Sequence, residues 1–128
     1  MKTAYLCLLV AGLMPIFCAA IAKWGFKDFD NHNPRNWLSH QTGFRARANA
    51  AQANCFESFP FFATSVISAL LVQTDAITLN YVCMFYIGLR ALYIFFYISD
   101  KATLRTLMWA GAYACIVFNF VQTIIATS

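Results

Sequence analysis

Apolar residues fall into four long runs, and three polar breaks separate them. The runs cover about residues 3–22, 45–72, 77–98 and 104–126. Each is long enough to cross a bilayer as a helix, which takes about 20 mostly apolar residues. Only QTDA parts the second run from the third, and only SDKAT parts the third from the fourth. Links that short make neighbouring helices antiparallel. The pattern predicts an all-α integral membrane protein, a four-transmembrane-helix up-down bundle in one domain over residues 1–128.

The first break, residues 23–44, is longer and predicts an interfacial loop. Trp24, Phe26, Phe29 and Trp37 are scattered among its charges, which argues against a disordered linker. Asn33 suits a helix cap and Pro34 a first helical position, so a short helix is expected near residues 34–40. Phe29, Trp37 and Leu38 then suit the headgroup layer. The first run has a rival reading as a cleaved signal peptide, with a basic start, an apolar middle and small residues at its end. Its length favours a retained span, as do Lys23 and Trp24, placed like an interface anchor.

Composition agrees with the pattern. The chain is 61% hydrophobic and 11% charged, against roughly 25% charged in ordinary soluble domains. A soluble domain this small could not bury so much apolar surface. The five cysteines, Cys7, Cys18, Cys55, Cys83 and Cys115, all lie in apolar runs without paired spacing. That pattern fits neither a disulfide framework nor zinc; it predicts small apolar fillers. His32 and His40, both in the polar loop, are expected to be solvated and not to bind metal. Lys23, Lys27, Arg35, Arg45 and Arg47 flank the first break, Lys101 and Arg105 the third, and only Lys2 lies on the other side. The first and third loops should therefore be cytoplasmic and both termini outside, in a bacterial-type inner membrane.

One stretch does not fit a plain membrane helix. In RARANAAQANCFESFP, residues 45–60, Arg47, Asn54 and Glu57 project from a similar side of a helix. Glu57 lies roughly 15 to 18 Å along the helix from Arg45. A lone carboxylate at that depth is unfavourable. In the third run Arg90 lies roughly 12 Å from the cytoplasmic end, with Tyr93 and Tyr97 on its face. A Glu57–Arg90 contact, within a subunit or between subunits, would relieve both charges. Polar pairs of this kind also serve simply to hold helices together, though each contributes only about 0.6 kcal/mol. The whole set makes a polar cleft facing the cytoplasm, suited to an anionic soluble ligand meeting a lipid-soluble one.

These residues resemble a known family. RANAAQANCFESFPFF is similar to the second-helix signature of the MAPEG family, the membrane-associated proteins in eicosanoid and glutathione metabolism. Arg47, Ala51-Gln52, Asn54, Glu57 and Phe59-Pro60 fill that signature. RALYIFFY resembles the Arg, Tyr and Tyr of its leukotriene and prostaglandin synthases, and Arg105 falls where the family keeps an arginine opening its fourth helix. NHNPR and the second run look most like a bacterial branch. The resemblance implies a homotrimer with glutathione at the subunit interface, as co-substrate, and a lipophilic small molecule arriving from the membrane. It implies that Arg47, Asn54, Glu57, Arg90, Tyr93 and Tyr97 bind or frame glutathione. Arg105 would be catalytic, holding the glutathione sulfur as thiolate. The partners implied are further copies of the chain and membrane lipids, with no nucleic acid and no metal. The eicosanoid synthases carry a second arginine where this chain has Ala50, which removes one partner for a glutathione carboxylate. The expected function is a glutathione-dependent membrane transferase or peroxidase acting on lipophilic electrophiles. The alternative is a non-enzymatic lipid- or partner-binding protein on the same scaffold. A small transporter would show helices broken at mid-membrane, and Pro15 and Pro60 are the only such signals.

Overall fold

The computed structural model describes residues 1–25 and 28–128. Phe26 and Lys27, assigned above to the loop aromatics and to the cytoplasmic charge, lie outside the described residues. Five helices follow one another: α1 (Lys2–Lys23), α2 (Pro34–Ser39), α3 (Gly43–Leu71), α4 (Ala76–Ile98) and α5 (Ala102–Thr127). There is no strand among the described residues. All but α2 are long and apolar enough to cross a membrane. Their outer faces carry exposed large apolar side chains, such as Leu9, Phe17, Phe85 and Ile124, as lipid contact requires.

The short links work through backbone geometry. Gln73 and Asp100 both adopt left-handed backbone, with φ of 54° and 62°. Thr74 N–H then reaches the Ala69 carbonyl at 3.0 Å, and Lys101 N–H reaches Phe96 at 2.8 Å. These closures follow the last turns of α3 and α4 and satisfy carbonyls that the helices leave open. Asp75 caps the start of α4, accepting from Thr78 N–H at 2.7 Å. Asn33 occupies the cap position of α2 as expected, but its side chain makes no capping bond there; Pro34 sets the first turn.

The helices pack through small residues and one aromatic stack. Ala4, Cys7 and Ala11 of α1 meet Phe62 and Val66 of α3 in one buried cluster. The Phe62 and Tyr86 rings stack at 3.8 Å, joining α3 to α4. A Cβ on Gly111 would meet Leu89 at 3.1 Å, so α5 approaches α4 closely where a side chain would crowd. A second cluster at the other end of the bundle contains Met14, Cys18, Ala51, Cys55, Tyr93 and Ile94. Leu38 of α2 packs with Ala22 and Ala48, which fixes the interfacial helix to α1 and α3. Phe29 meets Trp37 edge-on at 5.1 Å. His32 and His40 are exposed, and the His40 ring contacts the Asn36 carbonyl at 2.8 Å.

Candidate functional site

The polar residues opening α3 have two kinds of work. Arg45 donates from Nη1 to the Ala22 carbonyl at 2.9 Å, and Arg47 donates from Nε to the Ile98 carbonyl at 3.0 Å. Each arginine therefore sits on the C-terminal carbonyls of a neighbouring helix, α1 or α4. A cation is favourable there because helix C-termini carry partial negative charge. Arg45 also lies over the Trp37 and Phe44 rings. Arg47 thus has a structural bond of its own, at the carbonyl that follows Tyr97.

Deeper along α3, two faces diverge. Cys55 points inward and is 3% exposed, while Glu57 lies on the exposed face. Two residues on a helix are about 200° apart, so both cannot meet the same partner. Arg90, 1% exposed, donates from Nη2 to Cys55 Sγ at 3.3 Å and lies 4.3 Å from the Tyr93 ring. Its Nη1 has no hydrogen-bond partner. Glu57 accepts from Asn54 Nδ2 at 3.5 Å. The Glu57–Arg90 contact expected from the sequence is therefore not formed within the subunit, because Arg90 turns to the inner face of α3 and Glu57 occupies the outer one.

The remaining predicted residues converge. Asn54, Tyr93, Tyr97, Arg105, Thr106 and Trp109 line one open cleft of about 220 Å³, between the N-terminal half of α3, the end of α4 and the start of α5. The Arg105 guanidinium lies 4.4 Å from the Tyr97 ring centre, and the two tyrosine rings meet edge-on at 5.6 Å. Asn54 Oδ1 is buried without a partner. Four of the seven predicted residues thus share a cavity: Asn54, Tyr93, Tyr97 and Arg105. Arg90 stands behind Tyr93, Glu57 is tied to Asn54, and Arg47 is held to the last carbonyl of α4. Sequence reasoning missed Thr106 and Trp109. Their signal was position alone, since Trp109 lies one helical turn after Arg105.

Two other surfaces flank this region. A groove of about 430 Å³ on α2 and α3 is lined by Arg35, Asn49, Ala50, Gln52 and Ala53 among others. An apolar groove of about 340 Å³ between α1 and α4 is lined by Val10, Leu13, Met14, Phe17, Ala91 and Ile94.

Four apolar helices around polar side chains define an integral membrane protein with a polar cleft at one end of the bundle. The model of the MAPEG family matches residues 3–125, nearly the whole chain, and the chain belongs to that family. Membership associates it with the glutathione-related and eicosanoid-related membrane proteins. No curated protein matches the chain.

Proposed function

We propose that this protein binds glutathione at the Asn54, Tyr93, Tyr97 and Arg105 cleft and transfers it to, or uses it to reduce, a lipophilic electrophile. The observation that carries this reading is the position of Arg105. Its guanidinium stands over Tyr97 in a cleft that also holds a tyrosine and an asparagine with an unpartnered acceptor. A guanidinium beside a sulfur favours the thiolate. The Asn54 amide and the Glu57 carboxylate suit the backbone and amino group of a small peptide. The apolar groove between α1 and α4 offers a lipophilic co-substrate a route from the membrane.

The cleft is shallow for a tripeptide, and the groove carrying Asn49 and Gln52 leaves polar groups uncovered on a spanning helix. A homotrimer, with α3 lining the shared axis through Ala46, Ala50 and Ala53, would cover that groove and complete the site from a second copy. Small residues permit such close approach in lipid. Lys23, Arg45, Arg47, Lys101 and Arg105 gather at the cleft end of the bundle, and we place that end in the cytoplasm of a bacterial-type inner membrane, with both termini outside. Arg35 lines the same groove as Ala50, so a guanidinium from α2 stands near the place where the eicosanoid synthases carry a second arginine.

The test is spectroscopic. Adding millimolar glutathione to the purified protein should raise the ultraviolet absorbance of a thiolate, and Arg105→Ala should abolish that rise. A wild-type protein with neither a thiolate signal nor turnover of an aryl halide would favour the second reading, a non-enzymatic lipid-binding protein. The observation behind that second reading is the wholly apolar lining of the α1–α4 groove.

A further inference from the structure

Arg90 has a surrounding that glutathione binding does not explain. It is the largest fully buried side chain among the described residues. Its polar contact is a cysteine sulfur, and Nη1 has none. A buried cation without an anionic partner is strongly unfavourable. The ionisable group it bonds to is Cys55, and Cys18 of α1 packs in the same buried cluster as Cys55. Cys18 is 0% exposed and Cys55 is 3% exposed. Two thiols and a guanidinium therefore share one enclosed site between α1, α3 and α4. Arg90 lies against the Tyr93 ring, which also lines the open cleft. The other three cysteines, Cys7, Cys83 and Cys115, also gather in one buried cluster, but among the described residues no arginine bonds to their sulfurs. They are an internal control for burial and thiol proximity alone.

We propose that Cys18 and Cys55 form a redox-active dithiol that reduces a hydroperoxide, with Cys55 as the attacking sulfur, Cys18 as the resolving thiol and Arg90 as the positioning cation. A guanidinium beside a sulfur stabilises the negative charge that makes it nucleophilic. In the first step the Cys55 sulfur attacks the terminal peroxide oxygen. The S–O bond forms, the O–O bond breaks, and the leaving oxygen takes the proton given up by Cys55, departing as water or an alcohol. Cys18 then attacks the sulfenic sulfur of Cys55. The S–S bond forms, the S–O bond breaks, and the hydroxide leaves as water with the Cys18 proton. The two thiols lose two electrons and the peroxide gains them. Burial selects the oxidant class: a hydroperoxide is small or lipid-soluble and uncharged, whereas a peptide disulfide could not reach sulfurs this enclosed.

The experiment uses the purified full chain in mild detergent, without glutathione, so its outcome is independent of the glutathione reading. One equivalent of hydrogen peroxide is added, the protein is denatured and alkylated, and its peptides are read by mass spectrometry. A linked Cys18–Cys55 peptide should dominate, with Cys7, Cys83 and Cys115 alkylated. Cys18→Ser should stop the reaction at a Cys55 sulfenic acid, trapped by dimedone. Arg90→Gln should slow oxidation of Cys55 by about tenfold or more. If Arg90→Gln does not fold, the wild-type peptide map and Cys18→Ser decide the matter. Indiscriminate oxidation of all the cysteines, a dimedone adduct on Cys18 in place of Cys55, or an Arg90→Gln rate equal to wild type would overturn the proposal.

Discussion

At the scale of single residues, Arg45, Arg47, Arg90 and Arg105 each have a different partner, and the partners predict how substitutions differ. The Arg105 guanidinium faces the Tyr97 ring and makes no hydrogen bond or ion pair among the described residues, so its charge is free for a ligand. Arg105→Ala should lower turnover with glutathione and an aryl halide by roughly 10²-fold or more, while glutathione affinity falls less. Glu57→Gln should do the reverse, mainly weakening binding, as steady-state kinetics can separate. Arg47→Ala should weaken both binding and the fold, the latter by roughly 1–2 kcal/mol, because it also strips a bond from the Ile98 carbonyl. Denaturation in detergent checks that share. Glu57→Gln and Arg90→Gln should be additive within about 0.5 kcal/mol, since Arg90 of α4 meets the inner face of α3 and Glu57 lies on its outer face in one subunit. Coupling beyond that would place their contact between subunits.

At the scale of the helices, the residue periods made most of the structure legible. The apolar runs were plain because a bilayer imposes length and polarity together. The stripe of Asn54, Tyr93, Tyr97 and Arg105 was legible because each lies a whole number of turns from another site residue or at a helix end. What failed to show was contact across helices. Nothing in the spacing of Cys18 and Cys55 announces that α1 and α3 bring their sulfurs together, and nothing told Arg90 to choose Cys55 over Glu57. The roles of Arg45 and Arg47 as caps on other helices were hidden for the same reason, since their partners are backbone carbonyls, which every sequence has. One local device does carry a pH signature. The Thr78 side chain and backbone N–H hold the Asp75 carboxyl below its usual range. A depressed folded pKa means the contribution is present above the unfolded value, about 3.9, and is lost as pH falls through the lower folded value. Asp75→Ala should melt earlier than wild type at pH 7, and the gap should close in strong acid. Asp75→Asn should keep the cap and lose the pH dependence, which thermal scans at several pH values would show.

At the scale of the whole molecule, the prediction is one of assembly. Asn49 and Gln52 line a groove on a spanning helix, where lipid cannot satisfy their amides. Three copies should therefore appear by native mass measurement in mild detergent, and Ala53→Trp should disperse them by crowding the shared axis. If the assembly reading holds, the dispersed form should also lose the thiolate signal, because half of each glutathione site would be missing. A stable, active monomer would contradict both.

The seats of Arg45 and Arg47 also bear on biogenesis. The chain leaves the ribosome from its N-terminus, so α1 is in place before α3 and α4 follows both. Arg45 can take its place on Ala22 as soon as α3 inserts, whereas Arg47 must wait for Ile98, at the far end of α4. Until then a nascent chain holds one arginine docked and its neighbour two residues on undocked, at the same membrane surface. Arrival of α4 closes that gap. A polypeptide truncated before Ile98 would therefore keep the Arg45 seat and leave the Arg47 guanidinium without its carbonyl at the rim of the bundle, so the completeness of α4 is felt at the start of α3.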